Sequence, residues 1–264
     1  EKIEFNFLEY KFFQGGFLGL DVFFVISGYV VANYIIDIQD LKYRIIFKNF
    51  IEILIRKILP SLFLIIIILY PIAFIYFFPQ AFRDFASTIL NSIIFTSNIY
   101  VWHVALPLGE VPIFRPFHHT WAISSLLQFY LIFTFVLIFF YKHFKNNIIY
   151  IILIVLIANL IFTEKISHDF SLFNYFVSPR IWEISSGAAI AIIRRFKNIH
   201  LLNIKYDYLY LLFGISLIVI CFFYYKLDLI KFFRHPSLNT ILPVFAICIV
   251  LWFSENINLS KKNF

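Results

Sequence analysis

Long apolar runs constrain this chain more than any other feature of its sequence. A helix needs about twenty apolar residues to cross the hydrocarbon core of a bilayer. Of the 264 residues, 62% are hydrophobic and only 14% are charged, whereas soluble domains are about half apolar and a quarter charged. The sequence therefore predicts an all-α, polytopic transmembrane helix bundle with about seven full spans. They are expected at 17–37, 58–78, 121–141, 148–163, 174–193, 207–225 and 239–254.

The charged residues outside these spans predict how the chain crosses the membrane. Lys and Arg concentrate in the loops 38–57, 142–147 and 194–206, and basic loops are typical of the cytoplasmic side. The net charge of +7 then reflects membrane topology, so no nucleic-acid partner is expected. Residues 85–101 are too polar for a confident span and are predicted to form an interfacial or re-entrant helix on the outer side. We expect one domain over residues 1–264 that crosses the membrane several times.

Three charged residues lie inside the predicted spans, away from the terminal residues of each span. Asp21 follows the start of the apolar run 15–31, and Arg180 and Glu183 are three residues apart, so they share a helix face. Intramembrane charges are costly and usually line a polar cavity or pair with a partner. Asp21 could instead lie at the headgroup boundary, and Arg180 and Glu183 could form a purely internal ion pair.

Other polar residues lie at the ends of predicted spans. His118 and His119 directly precede a span, on the predicted outer side, and an imidazole there could act as a general base or be a plain interfacial residue. Arg56 and Lys57 are predicted at the cytoplasmic start of the second span, with Pro60 in its first turn; they could be a simple positive-inside anchor. The two cysteines lack metal-ligand spacing, and no metal site is predicted.

The amino-acid sequences of these stretches resemble motifs of the membrane-bound acyltransferase 3 family, whose members O-acylate extracytoplasmic glycans. GGFLGLDVFFVISGYVV at 15–31 resembles the motif of the family's second helix. Four later stretches match in the same order, and together they cover most of the chain from Gly15 to Trp252. They are FIEILIRKILPSLF at 50–63, PFHHTWAISSLLQFYLIF at 116–133, YFVSPRIWEISSGAAIAI at 175–192 and HPSLNTILPVFAICIVLWF at 235–253.

The resemblance implies roles for several of these residues. Arg56 and Lys57 match a basic motif thought to meet the phosphates of cytoplasmic acyl-coenzyme A, although Ile53 and Leu54 replace a further basic pair. His119 matches the His of the family's fourth block. The candidate catalytic residues are therefore Asp21, His119, Arg180 and Glu183, and the candidate donor-binding residues are Arg56 and Lys57.

The chain also departs from the family pattern. Leu126 and Leu127 stand where the family usually has two glutamates before Gln128. The family's proposed base is a His on its first helix, eleven residues after an Arg, and residues 1–14 contain neither. The chain is therefore expected to be a partial acyltransferase 3 module, truncated at both ends.

Two functions remain open at this stage. The first is transfer of an acyl group, expected to be acetyl, from acyl-coenzyme A to a hydroxyl of lipopolysaccharide O-antigen, peptidoglycan or exopolysaccharide. The acyl group would cross a pore lined by Asp21, Arg180 and Glu183, with no tightly bound cofactor and with membrane lipids as neighbours. The alternative is an inactive fragment or a non-enzymatic bundle that binds or moves a lipid-linked glycan, which the leucine pair and the missing His favour. An ion channel or carrier finds little support because the intramembrane charges are few.

Overall fold

The structure is a computed structural model that describes residues 18–38, 42–105, 117, 119–144, 147–166, 178–197, 204–224 and 238–262. These residues are helical, with no strand among them, which confirms the predicted all-α class. The helices are α1 (Leu18–Asp37), α2 (Tyr43–Tyr76), α3 (Pro79–Ile93), α4 (Ser97–Tyr100), α5 (Thr120–His143), α6 (Ile148–Ile166), α7 (Ile181–Lys197), α8 (Ile204–Tyr224) and α9 (Ile241–Lys262).

Four of the described helices contain a stretch long and apolar enough to span a bilayer, and α8 and α9 contain shorter apolar stretches. The four stretches are Leu18–Asp37, Ile55–Tyr76, Thr120–His143 and Ile148–Lys165. Many of their large apolar side chains are exposed, as expected for surfaces that face lipid.

Helix α2 is longer than the sequence predicted. It begins at Tyr43 instead of residue 58, so Pro60 lies in the helix interior and not in its first turn. The apolar pattern marks only the stretch Ile55–Tyr76, whereas the preceding turns include Arg44, Lys48 and Glu52, which are good helix formers without being apolar. The apolar run therefore locates a membrane span better than it locates the ends of its helix.

The described helices pack as two compact units. The expectation of one domain over residues 1–264 stays a prediction. One unit holds α1 up to Val30, α6 from Ile152, and α7 to α9. The other holds the remainder of α1 together with α2 to α5 and the start of α6. We refer to them as the charge unit and the cavity unit, after the site that each contains.

In the charge unit, α7 and α9 pack around an apolar core of Val25, Trp182, Val244 and Ile247. Two polar contacts fix the ends of these helices. The Trp182 backbone N–H donates to Asn159 Oδ1 at 2.9 Å, and the guanidinium of Arg194 lies 5.3 Å from the Trp252 ring centroid. Each contact satisfies a polar group that would be costly to leave unpaired among apolar side chains.

In the cavity unit, α3 folds back along α2. The Phe77 and Phe85 rings meet edge to face at 5.6 Å, and Phe85, Leu62 and Ile89 share one apolar core. Pro79 begins α3, where a missing N–H costs no helical hydrogen bond. The interfacial or re-entrant helix predicted at 85–101 differs in its bounds from α3, which runs from Pro79 to Ile93, and its position relative to the membrane stays a prediction.

Candidate functional site

The charge unit contains a cluster of three buried charged side chains, Asp21, Arg180 and Glu183. Asp21 lies in the first turn of α1, Glu183 in the first turn of α7, and Arg180 ends the short 3-10 turn before α7. Arg180 Nη1 donates to Asp21 Oδ1 at 2.5 Å and to both carboxylate oxygens of Glu183 at 3.4 Å. The structure therefore brings together all three charges that the sequence placed within spans.

These three side chains are enclosed by protein. Their exposed fractions are 0% for Asp21, 1% for Arg180 and 0% for Glu183, and the Arg180 guanidinium also lies 5.3 Å from the Phe24 ring centroid. Asp21 is thus enclosed by protein and paired with Arg180, near the start of the candidate span Leu18–Asp37. The predicted water-filled pore is not open at this cluster, and the catalytic role of the three residues stays a prediction.

Two glycines bring α1 and α7 close enough for the cluster to form. A Cβ added to Gly28 would overlap the backbone carbonyl of Ile184, and one added to Gly187 would overlap the carbonyl of Val25. Gly187 lies among the small residues Ser185, Ser186, Ala188 and Ala189, and small residues let two helix backbones approach closely. The two helix backbones are therefore in direct contact next to the buried charges.

The cavity unit contains a cavity of about 240 Å³ beside His119. His119 is exposed and forms the N-cap of α5, next to Thr120. The lining residues come from α2, the α3–α4 turn and the start of α5. They are Ile58, Ser61, Leu62, Ile65, Ser92, Phe95, Phe117, His119, Thr120, Ile123 and Ser124.

A ladder of polar side chains joins the α3–α4 turn to α5 below His119. Ser92 Oγ lies 2.6 Å from Thr120 Oγ1, and Ser97 Oγ lies 2.7 Å from Ser124 Oγ. The ladder continues with a reciprocal amide pair. Asn98 Nδ2 donates to Gln128 Oε1, and Gln128 Nε2 donates to Asn98 Oδ1, each at 3.0 Å.

Gln128 also holds an unusual backbone conformation. Its Nε2 donates to the Phe95 carbonyl at 2.9 Å, and Phe95 is the non-glycine residue with a positive φ, 59°, among the described ones. Such a φ is unfavourable for a bulky residue. Neither a glycine nor a proline marks this turn in the sequence, so it was not predicted. The Ser, Thr and Asn residues around Phe95 are the only sign of it in the sequence.

The two leucines that replace the family's glutamates are buried. Leu126 and Leu127 lie on α5 with 3% and 6% of their surfaces exposed, directly before Gln128. The chain thus places apolar side chains where the resemblance to the family implied carboxylates, and the polar ladder runs along α5 without them.

Arg56 and Lys57 lie on α2 just before the cavity. Both are exposed, and Arg56 Nη2 forms an ion pair with Glu52 Oε1 at 2.6 Å. Ile58 and Ser61, which line the cavity with His119, follow Lys57 within about one helical turn.

This proximity differs from the predicted topology. The sequence placed Arg56 and Lys57 on the cytoplasmic side and His119 on the outer side, a separation of about 30 Å across the hydrocarbon core. In the structure, His119 shares a cavity with residues that begin two positions after Arg56. The number of charges in each loop could not predict this proximity, because it carries no information on which helices pack together.

Some predictions lie outside the described residues. Gly15, Gly16, His118 and Pro236 are among them, and so is the region before residue 18, where the family's first-helix His was expected. Leu242 and Pro243 begin α9, which agrees with their predicted structural role.

The comparison with protein families decides where the chain belongs. The model of an acyltransferase domain, acyltransferase 3, matches residues 2–262. The chain belongs to the acyltransferase 3 family. Its members are membrane-integral, so the apolar helices described above are those of a membrane protein.

Curated relatives include named O-acetyltransferases. The peptidoglycan O-acetyltransferase OatA of Listeria monocytogenes is 26% identical over 140 residues, which cover 53% of this chain and 22% of that protein. The O-acetyltransferase OatA of Staphylococcus aureus is 28% identical over 192 residues, 70% of this chain and 31% of that protein. The chain thus spans less than a third of either enzyme.

A third relative is matched over nearly its whole length. It is an uncharacterized protein of Haemophilus influenzae, 28% identical over 251 residues, which cover 90% of this chain and 99% of that protein. No solved structure matches the chain.

Proposed function

We propose that the protein is a membrane O-acyltransferase of the bacterial inner membrane. It would transfer an acyl group, acetyl by analogy with the OatA enzymes, from acyl-coenzyme A to a hydroxyl of a cell-envelope glycan. Family membership over residues 2–262 supports the reaction class. The geometry that supports it best is the cavity that His119 shares with the α2 segment following Arg56 and Lys57.

The donor would bind with its phosphates at Arg56 and Lys57. Cations form their strongest hydrogen bonds with charged oxygens, and both side chains are exposed on α2. The pantetheine arm that joins the phosphates to the thioester is longer than one helical turn of about 5.4 Å, so it would fold along α2 to bring the thioester to His119.

His119 would act as the general base. Its imidazole takes the proton from the acceptor hydroxyl while that oxygen attacks the thioester carbonyl carbon. The tetrahedral intermediate then collapses, the C–S bond breaks, and the imidazolium returns the proton to the leaving thiolate. The products are the O-acyl ester and coenzyme A.

The buried Asp21–Arg180–Glu183 cluster would act indirectly. Its enclosed side chains offer no surface to a substrate in this structure, whereas they join α1 to α7 through Arg180. We assign it the role of holding these two helices in register. It would act on the structure of the charge unit instead of reacting with a substrate.

The second candidate is a non-enzymatic bundle that binds a lipid-linked glycan. The buried Leu126 and Leu127 favour it, because the chain lacks the carboxylates that relatives have there. Neither leucine lines the cavity beside His119, so the enzyme remains the better-supported candidate.

Labelled acetyl-coenzyme A supplied to membrane vesicles tests the proposal. Vesicles that contain the full-length protein should transfer label to envelope glycan, whereas matched vesicles without it should not. Lys57→Ala should raise the KM for the donor and leave kcat nearly unchanged, because it removes a contact to the phosphates that is equal in the ground and transition states. An absence of transfer above the empty vesicles would leave the glycan-binding bundle as the better account.

A further inference from the structure

The wall of the cavity beside His119 is largely apolar. Six of its lining side chains are hydrocarbon and come from all three neighbouring segments: Ile58, Leu62, Ile65, Phe95, Phe117 and Ile123. Burying apolar ligand surface against such a wall is favourable by about 25 cal/mol per Å². The cavity therefore favours a ligand with a hydrocarbon part.

The hydroxyl groups of the cavity already have partners within the protein. Ser61 Oγ donates to the Ile58 carbonyl at 2.9 Å, and Thr120 Oγ1 donates to the Phe117 carbonyl at 2.6 Å. Ser124 bonds Ser97, and Ser92 bonds Thr88 and Thr120. Because these groups do not require a ligand for their hydrogen bonds, a chain with little hydrogen-bonding capacity fits here without leaving them unpaired.

The volume limits the ligand's size. At about 240 Å³, the cavity is smaller than the roughly 300–1,000 Å³ of pockets that enclose drug-sized molecules. It holds one slender arm of a larger molecule better than a sugar ring with its substituents or a nucleotide.

The residues around the cavity indicate which part of a larger ligand it binds. Lys57 precedes Ser61 by four residues and Ile65 by eight, so the three share one face of α2. A ligand lying along this face would have its anionic part at Lys57 and its apolar part in the cavity, with His119 on the lining.

We propose that this cavity binds the acyl group of the donor thioester, and that Ile65 helps set the length of the acyl chain that fits. The assignment rests on the proposed function, because it takes the ligand to be the donor of that reaction. It adds a subsite for the acyl chain and a residue that determines chain-length specificity.

Cysteine protection tests binding separately from transfer. The full-length protein, with Cys221, Cys248 and every other native cysteine replaced by alanine, carries Ser61→Cys in membranes and is labelled with a permeant maleimide. Non-hydrolysable S-alkyl-coenzyme A thioethers, from ethyl to octyl, are the probe. At about ten times the dissociation constant, a bound thioether should slow labelling about tenfold. Ile67→Cys, on the exposed face of the same helix at 71% exposure, should label at an unchanged rate.

Chain-length profiles test the specificity of the same site. Ile65→Ala should favour longer acyl donors and Ile65→Phe shorter ones, each by about tenfold in the ratio of octanoyl to acetyl transfer. Ile67→Ala and Ile67→Phe are the matched controls and should keep the wild-type profile. A general loss of folding would lower all donors alike, so opposite shifts for the two Ile65 variants identify the subsite.

The outcomes separate the two proposals. Equal labelling of Ser61→Cys with and without every thioether, or identical profiles for the Ile65 variants, overturns the acyl subsite even where transfer proceeds. Protection of Ser61→Cys in a protein that transfers no acyl group supports the subsite and overturns the catalytic function.

Discussion

At the scale of single residues, the most demanding feature is Arg180 between two carboxylates. Burying charges is costly unless they are paired, and removing one partner leaves the other uncompensated. Asp21 is the closer partner at 2.5 Å, and Glu183 lies 3.4 Å away. The two acids are therefore not equivalent in what they contribute to stability.

We expect Asp21→Asn to destabilise the protein by about 3 kcal/mol or more, because it weakens the shorter contact to a buried guanidinium. Glu183→Gln should cost less, about 1 kcal/mol, because the Asp21–Arg180 pair remains. The midpoint of unfolding in detergent, measured for the two variants side by side, checks this order. Equal losses, or a larger loss for Glu183→Gln, would contradict the geometry of the cluster.

The sequence predicted that Asp21, Arg180 and Glu183 lie together, because it placed all three on one pore, but it predicted a direct contact only for Arg180 with Glu183. The spacing of Arg180 and Glu183 is enough to predict their contact, because residues three apart share a helix face. The partnership of Arg180 with Asp21 joins positions 159 residues apart, and no local pattern encodes such a distance. Only the cost of an unpaired charge in a membrane indicated that Asp21 needed a partner.

At the scale of helices, the contact of α1 with α7 depends on two residues without side chains. An added methyl group at either Gly28 or Gly187 would overlap backbone atoms of the opposite helix, and backbone yields less readily than a side chain. Gly19 lies on the same α1 helix with nothing within 4 Å of such a methyl group.

Gly28→Ala and Gly187→Ala should therefore each destabilise the protein by about 1–3 kcal/mol through overpacking. Gly19→Ala should be neutral or slightly stabilising, because alanine is the better helix former. Thermal unfolding of the three variants in the same detergent is the measurement. A Gly19→Ala effect as large as that of Gly28→Ala would show that the helix contact is not the cause.

The α3–α4 turn depends on Gln128. Gln128→Ala removes the hydrogen bond to the Phe95 carbonyl and leaves the Asn98 amide without its partner, so it should cost about 1–3 kcal/mol. Ile132→Ala, at an exposed position of the same helix, is the control and should cost less. Hydrogen exchange of the backbone amides of residues 94–98 should accelerate in Gln128→Ala alone; unchanged protection would remove Gln128 from this role.

The limits of prediction at this scale follow from what apolar patterns measure. Each of the seven predicted spans overlaps a described helix, namely α1, α2, α5, α6, α7, α8 and α9. Four of the described helices, α1, α2, α5 and α6, contain a stretch long and apolar enough to span a bilayer, so the apolar pattern predicted helices more reliably than complete spans. The start of α2 at Tyr43 and the break at Phe95 were not predicted, because one depends on helix propensity outside the membrane span and the other on side-chain hydrogen bonds from a distant helix.

At the scale of the whole molecule, the cavity unit places the proposed donor-binding helix beside the proposed base. The substitutions Ser61→Cys and His119→Cys are introduced together into the protein without its native cysteines. In membranes, a short bis-maleimide should therefore join the two new cysteines. Ile75 lies about 21 Å further along α2, so a cysteine there should not be joined to one at His119. Linkage of the Ile75 pair with no linkage of the Ser61 pair would restore the predicted placement of His119 on the far side of the membrane.

The proposed function depends most on proton transfer by His119 at this cavity. The rate of acetyl transfer by His119→Ala is therefore the decisive measurement. His143→Ala is the matched control, since His143 is an exposed histidine of the same helix whose ring bonds the Phe139 carbonyl at 2.9 Å. With labelled acetyl-coenzyme A in membranes, His119→Ala should lower kcat by about 10²–10⁴-fold, and His143→Ala should leave it close to the wild-type value. A His119→Ala protein that is present at the wild-type level and transfers acetyl at the wild-type rate would contradict the account.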